Sequence, residues 1–167
     1  MPINVLILCT GNSARSILAE AIINRQGDAR LKAYSAGSKP KDQPNPIGLA
    51  LLQARGYDTG AFRSKSWDEF AMPDAPKMDI VITVCDAAAG ETCPYWPGSP
   101  VVAHWGIPDP AGEHGSPEAN LAAFELAYDR LSARVAALVA LPIETMPAAD
   151  LKSKLMEIGA MEGSSNA

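Results

Sequence analysis

The sequence predicts an α/β fold, in which an open parallel sheet is covered by helices on both faces. Two observations support this: short apolar, β-branched runs alternate with segments of helical periodicity, and a length of 167 residues suits one domain with a tail. Right-handed crossovers bring the carboxyl ends of all strands in such a sheet to one edge, where ligands bind. Residues that directly follow predicted strands are therefore the candidates for function.

The first half of the chain is predicted to contain two strands and two helices. The run INVLIL at 3–8 is typical of a buried parallel strand, and the turn-forming residues after it lead into a helix that ends at Gly27. A weaker strand is predicted at 32–35. The Pro-rich loop 40–46 leads into a second helix, for which Gly56 is the expected residue just beyond the C-terminus.

The second half is predicted to contain two further strands and a long helix. Ser66 and Glu69 have the spacing of a capping box and predict one short helix. The apolar runs at 79–84 and 101–103 predict the third and fourth strands. A serine cap followed by Pro117 begins the long helix, whose apolar residues recur at helical spacing for about six turns.

Domain organisation and charge exclude several classes of protein. Residues 1–142 are expected to form the domain, and residues 143–167 a tail that is weakly helical and then flexible. No apolar stretch approaches the roughly 18–20 residues of a membrane span, and the N-terminus lacks the basic region of a signal peptide, so we expect a cytoplasmic protein. A net charge of −5, from 14 Lys+Arg against 19 Asp+Glu, argues against binding to nucleic acid.

Three cysteines are an odd number in a chain without a secretory signal, so reactive thiols are favoured over a disulfide framework. Cys9 and Cys85 each follow a predicted strand, as does the loop that contains Asp109. All three are therefore expected at the functional edge of the sheet.

The loop after the first strand is the strongest motif. Its backbone N–H groups and the following helix N-terminus can converge on a tetrahedral oxyanion, Arg15 can bind two oxygens through its planar guanidinium, and the same positive field would stabilise a Cys9 thiolate. A buried cysteine beside a solvated arginine is the alternative, and a nucleotide P-loop is excluded because its Gly-Lys-Ser/Thr ending is absent. The predicted oxyanion-binding residues are Thr10, Gly11, Asn12, Ser13, Ala14, Arg15 and Ser16.

This run, preceded by its hydrophobic strand, resembles the signature of the low-molecular-weight protein tyrosine phosphatase family, and more closely that of the arsenate reductases built on that fold. The similarity covers roughly residues 3–140. The resemblance implies a four-stranded parallel sheet of Rossmann or flavodoxin-like type, flanked by helices, with the loop as the oxyanion site. Beyond the loop it is carried by Tyr34-Ser35-Ala36-Gly37-Ser38, Ile82-Thr83-Val84-Cys85-Asp86, His104-Trp105-Gly106 and Asp109-Pro110.

Asp109 precedes Pro110, which disfavours the helical region at Asp109 and favours an extended loop. A carboxylic acid there could give a proton to a leaving oxygen, and a simple turn residue is the alternative. The resemblance implies the acid role. The chain continues with Ala111 and lacks the aromatic pair that flanks a phosphotyrosine ring in eukaryotic phosphatases, which argues against tyrosine phosphatase as the main activity.

Cys85 and Cys93 are joined by a linker of mostly small residues, which can bring the two sulfurs together if the loop remodels. Metal ligation is disfavoured because Cys-x-x-Cys spacing is absent, and a pair of inert buried thiols is the alternative. The resemblance to thioredoxin-coupled arsenate reductases implies a relay. Cys9 attacks arsenate, Cys85 then attacks the Cys9 sulfur and releases arsenite, and Cys93 completes a Cys85–Cys93 disulfide. In those relatives the last two cysteines usually stand one position closer.

The resemblance carries two further expectations. Asn12 and Glu20 match residues that hold a monovalent cation in some relatives, whereas no other metal and no cofactor is predicted. The leading hypothesis is an arsenate reductase that binds arsenate or phosphate and takes electrons from a thioredoxin- or glutaredoxin-type partner. One alternative is a low-molecular-weight phosphatase that hydrolyses phosphomonoesters through a Cys9 phosphocysteine. A second alternative is a non-catalytic oxyanion-binding or redox-sensing module.

Overall fold

A computed structural model describes residues 2–85 and 100–161 of the chain. Its four strands are all parallel and lie in the order β2-β1-β3-β4, which confirms the predicted sheet. The central strand β1 pairs with both β2 and β3, so that Leu8 stands beside Ala36 on one side and Thr83 on the other. The strands are β1 (Ile3–Leu8), β2 (Leu31–Ala36), β3 (Ile80–Thr83) and β4 (Val101–His104).

Within the described residues, four α-helices and two short 3-10 helices connect or follow the strands, and the predicted serine caps form at Ser66 and Ser116. Asn45 accepts a hydrogen bond from the backbone of Ile47, and Ser116 accepts one from Ala119. The described helices include none that is both long and apolar enough to cross a membrane. The helices are α1 (Arg15–Gln26), α2 (Pro46–Ala54), α3 (Pro117–Val139), α4 (Ala148–Gly159) and the 3-10 turns Trp67–Phe70 and Ile143–Thr145.

Successive residues of a strand point to opposite faces, and the buried side chains accordingly form two clusters. The larger cluster joins Val5 and Ile7 of β1 to the buried residues of all four α-helices. The smaller cluster joins Leu6 and Leu8 to Phe70 of the first 3-10 turn. The central strand is thus enclosed on both faces, which leaves its carboxyl end as the place where polar groups reach solvent.

Residues 143–161 pack against the domain, whereas the sequence suggested a loosely attached segment. Leu155 of α4 is fully buried, and its carbonyl accepts a hydrogen bond of 2.9 Å from the indole of Trp105. Gly159 lies so close to β4 that an added Cβ would overlap the carbonyl oxygen of His104. The sequence predicts only a weak helix here because α4 buries just three large apolar side chains, which make a short apolar pattern. The end of the expected tail, residues 162–167, lies outside the described residues.

Arg30 joins the start of this segment to the loop between α1 and β2. Its guanidinium donates to the carbonyls of Val139, the last residue of α3, and of Leu141, and it forms an ion pair of 2.5 Å with Glu144. The guanidinium thus binds carbonyls at the C-terminal end of α3, which intrahelical hydrogen bonds leave unsatisfied. The segment after residue 142 is therefore bonded to the domain at its beginning and packed against it along α4.

Candidate active site

A cleft of about 680 Å³ opens at the carboxyl edge of the sheet. It is lined by the loop from Cys9 to Arg15 after β1, by Cys85 after β3, and by Ile107, Pro108 and Asp109 after β4. The structure therefore brings Cys9, Arg15, Cys85 and Asp109 to one site, where the strand-end argument expected them. Cys93 lies outside the described residues.

The loop after β1 is held open by hydrogen bonds that come from elsewhere in the chain. The donors to its carbonyl oxygens are backbone N–H groups of the loop before α2 and the hydroxyl of Ser64. These donors fix four consecutive carbonyls, so the loop conformation is set before any ligand binds. The bonds run from Lys39 N to Thr10 O (3.0 Å), Lys41 N to Gly11 O (3.0 Å), Ser64 Oγ to Asn12 O (2.6 Å) and Asn45 N to Ser13 O (2.8 Å).

The N–H groups of the same loop are left for an anion. In a planar trans peptide a carbonyl and the next N–H point in opposite directions, so carbonyls held from outside direct the following N–H groups inward. Among residues 2–85 and 100–161, the N–H groups of Gly11, Ser13, Ala14 and Arg15 have no hydrogen-bond acceptor. Helix α1 begins here without a side-chain cap, and its N-terminus adds a positive partial charge.

Asn12 is the internal brace of the loop. It is fully buried with a left-handed φ of 45°, a conformation that asparagine tolerates better than most residues. Its side-chain nitrogen donates to the hydroxyls of Ser16 and Ser35, both at 2.9 Å. Ser16 therefore lies behind the loop and does not line the cleft, in contrast to its predicted role as an oxyanion ligand.

The place expected for a monovalent cation contains the ammonium group of Lys65. Its Nζ lies 3.4 Å from the side-chain oxygen of Asn12 and 2.9 Å from the carbonyls of Ser35 and Arg63. Glu20 accepts a hydrogen bond from the Ser35 hydroxyl, and burial raises the pKa of this carboxyl. Burial lowers the pKa of Lys65, while Glu20 acts in the opposite direction. The oxygen atoms that could have coordinated a monovalent cation thus accept hydrogen bonds from the Lys65 ammonium group instead.

Arg15 joins the loop to the strand-end segment that contains Asp109. Its side chain is 13% exposed, donates to the carbonyl of Ile107 at 2.8 Å and lies 3.6 Å from the Asp109 carboxylate. The Nε of Arg15 is buried without a hydrogen-bond partner among the described residues, which leaves a donor for a ligand. Asp109 is half exposed, and its other oxygen accepts from the N–H of Ala111 at 2.9 Å.

Cys9 and Cys85 are buried thiols at neighbouring strand ends. The Cys85 sulfur accepts a hydrogen bond from the backbone N–H of Thr10 at 3.4 Å and lies 3.7 Å from the Thr10 hydroxyl. A hydrogen bond with Cys85, followed by burial, raises the pKa of the Cys9 thiol, whereas Arg15 lowers it. The neighbouring sulfur and burial therefore oppose the Cys9 thiolate that the sequence predicts, whereas the Arg15 guanidinium favours it.

The sequence did not indicate that Lys39 and Lys41 line the cleft, nor what Gly37 does there. Lys39 and Lys41 line the cleft, and Gly37 lies where an added Cβ would overlap the carbonyl oxygens of Cys9 and Thr10. Two lysines on either side of a proline are typical of an ordinary solvated loop. Their place in the cleft becomes evident only from their contacts with the loop after β1. Gly37 lies in the run of residues 34–38 that carries part of the family resemblance. Its close approach to the loop after β1 is the physical reason for a glycine at this position.

The chain is similar in sequence and in structure to known proteins. Residues 4–154 match a sequence model of a family described as low molecular weight phosphotyrosine protein phosphatase. An arsenate reductase from Halalkalibacterium halodurans is 32% identical over 131 residues, which are 78% of this chain and 91% of the relative. The crystal structure of an arsenate reductase from Archaeoglobus fulgidus superposes with a TM-score of 0.64 and 28% identity, covering 82% of this chain and 99% of that one.

A more distant structure has the same fold. A thioredoxin-dependent arsenate reductase from Corynebacterium glutamicum superposes with a TM-score of 0.58 at 24% identity, covering 82% of this chain and 60% of that chain.

Proposed function

This chain belongs to the low-molecular-weight phosphotyrosine protein phosphatase family, and within that family we propose that it is an arsenate reductase. One observation carries the proposal: a second thiol, Cys85, lines the oxyanion cleft together with Cys9, at the end of the neighbouring strand. Phosphate ester hydrolysis needs no second sulfur, whereas reduction of arsenic needs two electrons that a pair of thiols can supply.

The first step is attack of the Cys9 sulfur on arsenate held by the loop. The inward N–H groups and Arg15 would bind the oxygens and stabilise the charge that develops on them. A sulfur–arsenic bond forms as an arsenic–oxygen bond breaks, and the proton of the Cys9 thiol joins the leaving hydroxyl to give water. Asp109, which faces the cleft beside Arg15, is proposed to pass this proton to the leaving oxygen. The raised pKa of Cys9 suits a thiol that releases its proton only during attack.

The second step is attack of Cys85 on the sulfur of Cys9. The sulfur–arsenic bond breaks, its electron pair stays on arsenic, and arsenate is thereby reduced to arsenite while a Cys9–Cys85 disulfide forms. The N–H of Thr10 donates to the Cys85 sulfur and would favour its thiolate. We further propose that Cys93 attacks Cys85, which frees Cys9 and leaves a Cys85–Cys93 disulfide.

The proposed electron donor is a thioredoxin- or glutaredoxin-type dithiol, because the last disulfide must be reduced by exchange with external thiols. Such donors keep the cytoplasm reducing, and we place the protein there for that reason.

Disulfide mapping tests the relay. Reduced protein is mixed with arsenate, and disulfides are identified by mass spectrometry while arsenite is measured. Wild type should form Cys85–Cys93 and release one arsenite per chain. Cys93→Ser should also release one arsenite but stop at Cys9–Cys85, whereas Cys85→Ser should release none. Retained phosphate binding by each variant would show that the cleft is folded.

Undiminished arsenite release by Cys85→Ser would exclude the relay. Phosphate binding by wild type without turnover of arsenate or of any phosphomonoester would favour a non-catalytic module. Phosphomonoester hydrolysis is the second candidate activity, because Cys9, Arg15 and Asp109 lie together and that reaction needs only a nucleophile, an oxyanion site and an acid.

A further inference from the structure

The cleft is much larger than an inorganic oxyanion requires. A tetrahedral oxyanion of five heavy atoms fills the space of a few water molecules, on the order of 100 Å³, whereas the cleft measures about 680 Å³. Volumes of this size are typical of sites that enclose small organic molecules. Among the residues that the structure describes, space therefore remains beside the loop for the organic part of a substrate.

One wall of the remaining space is cationic. Lys39 and Lys41 flank Pro40, and their backbone N–H groups are fixed on the carbonyls of Thr10 and Gly11 at 3.0 Å each. The stem of Lys41 lies over Gly11, where an added Cβ would stand 3.4 Å from Lys41 Cε. Neither ammonium group has an ion-pair partner within the part of the chain that the structure describes. Two positive charges therefore border the cleft of a protein whose net charge is −5.

The described part of the other wall offers no aromatic side chain on which a substrate ring could stack. Ile107, Pro108 and Ala111 line it together with Asp109, and none of the described lining residues is aromatic. An aryl phosphate would therefore gain little from the described lining beyond its phosphate contacts, because none of these side chains can stack on the ring. A substrate with a second anionic group would gain an ion pair with the lysine wall.

We propose that the cleft also hydrolyses small phosphomonoesters that carry a second anionic group, which Lys39 and Lys41 recognise. The inference rests on the same nucleophile and loop as the proposed arsenate reduction but requires neither Cys85 nor Cys93. Cys9 attacks phosphorus as the ester bond breaks, and its thiol proton passes through Asp109 to the leaving ester oxygen. Water then cleaves the phosphocysteine, and one proton of that water returns through Asp109 to the Cys9 sulfur. The products are the alcohol and inorganic phosphate, with no change of oxidation state.

Matched substrates test the proposal. Phenyl phosphate is compared with 3-carboxyphenyl and 4-carboxyphenyl phosphate, which differ only in the added carboxylate, and arsenate turnover is measured on the same preparations. Wild type should hydrolyse at least one carboxylated ester with a kcat/KM about tenfold higher than that of phenyl phosphate, as two partly exposed ion pairs would give. Raising the salt concentration should reduce this preference.

Charge-matched variants identify the recognising residues. Lys39→Ala and Lys41→Ala retain the backbone N–H groups that hold the loop, and each should lower the ratio of the two kcat/KM values several-fold. Lys77→Ala removes the same charge from a residue at the amino edge of the sheet, beside Asn4, and should leave the ratio unchanged. An equal loss of activity toward phenyl phosphate and the carboxylated esters would overturn the proposal, since the lysines would then attract any anion.

The outcomes separate this inference from arsenate reduction. Arsenate turnover without a preference for carboxylated esters overturns the inference alone. A lysine-dependent preference without arsenate turnover supports the inference and contradicts the proposed reductase.

Discussion

At the scale of single residues, Lys65 replaces an ion that the sequence suggested. Its ammonium group is bonded to oxygens of Asn12, Ser35 and Arg63, and the brace of the oxyanion loop therefore includes its own positive charge. A lysine that is covalently part of the chain is present at any salt composition. The loop should thus be independent of monovalent cations.

Replacement of this lysine should create a cation requirement. Wild type should turn over arsenate equally well in potassium and in tetramethylammonium salts of the same ionic strength. Lys65→Ala should lose activity about tenfold in tetramethylammonium and recover part of it with potassium, because the freed carbonyls can coordinate the ion. Lys77→Ala is the charge-matched control. A wild-type requirement for potassium would contradict the role given to Lys65.

The pair of sulfurs allows a second prediction at this scale. Because the hydrogen bond with Cys85 is the largest cause of the raised pKa of Cys9, Cys85→Ala should shift ionisation of Cys9 to lower pH. The rate of alkylation of Cys9 by iodoacetamide, followed by peptide mass spectrometry as a function of pH, measures the midpoint. A midpoint that stays in place or rises in the variant would show that Cys85 does not restrain the nucleophile.

At the scale of elements, α4 is joined to β4 by close backbone packing. Gly159 is buried against the His104 carbonyl, and Trp105 donates its indole N–H to the last turns of the same helix. The attachment orients the segment after β4, in which Asp109 lies only a few residues beyond Trp105. The helix thus supports one wall of the cleft from behind.

Gly159→Ala tests this packing. Alanine is the better helix former by about 1 kcal/mol, yet the added methyl group would overlap backbone and should destabilise the fold by about 1–3 kcal/mol. Urea unfolding followed by circular dichroism gives the free energy of unfolding. Met156→Ala, on the exposed face of the same helix, should change it by less than about 0.5 kcal/mol. Equal or greater stability of Gly159→Ala would contradict the close packing.

At the scale of the whole molecule, the contact between Arg30 and Glu144 joins residues that are 114 positions apart. The hydrogen bond from Arg30 lowers the pKa of Glu144 to about 2. A carboxyl whose pKa is lower in the folded state contributes stability above its unfolded pKa, near 4.3, and loses this contribution as the pH falls toward 2.

The pH dependence of stability follows from this shift. Glu144→Gln should be less stable than wild type at pH 7, and the difference should shrink between about pH 4.5 and pH 2. Thermal unfolding at several pH values measures it, with Glu157→Gln as a control at a weaker surface pair. A difference that persists unchanged at pH 2 would show that the carboxylate charge is not the cause.

The sequence was sufficient to predict the features that depend on local pattern. Strand ends, helix caps and the loop from Cys9 to Arg15 were predicted because apolar periodicity, caps and glycines lie within a few residues of one another. Contacts between distant segments were missed, such as Lys65 on Asn12 and α4 on β4. The effect of Cys85 on the pKa of Cys9 was missed for the same reason, since Cys85 becomes its neighbour only through the pairing of β1 with β3.

That pairing has a consequence for the transfer of electrons. Leu8 stands opposite Thr83 in the middle of a four-stranded sheet, so the separation of the two sulfurs is determined by the register of the two central strands. A slip of one residue would reverse the faces of β3 and turn Cys85 away from Cys9. The distance between the two sulfurs before the first thiol exchange is therefore set by the sheet, and it should persist as long as the sheet stays folded.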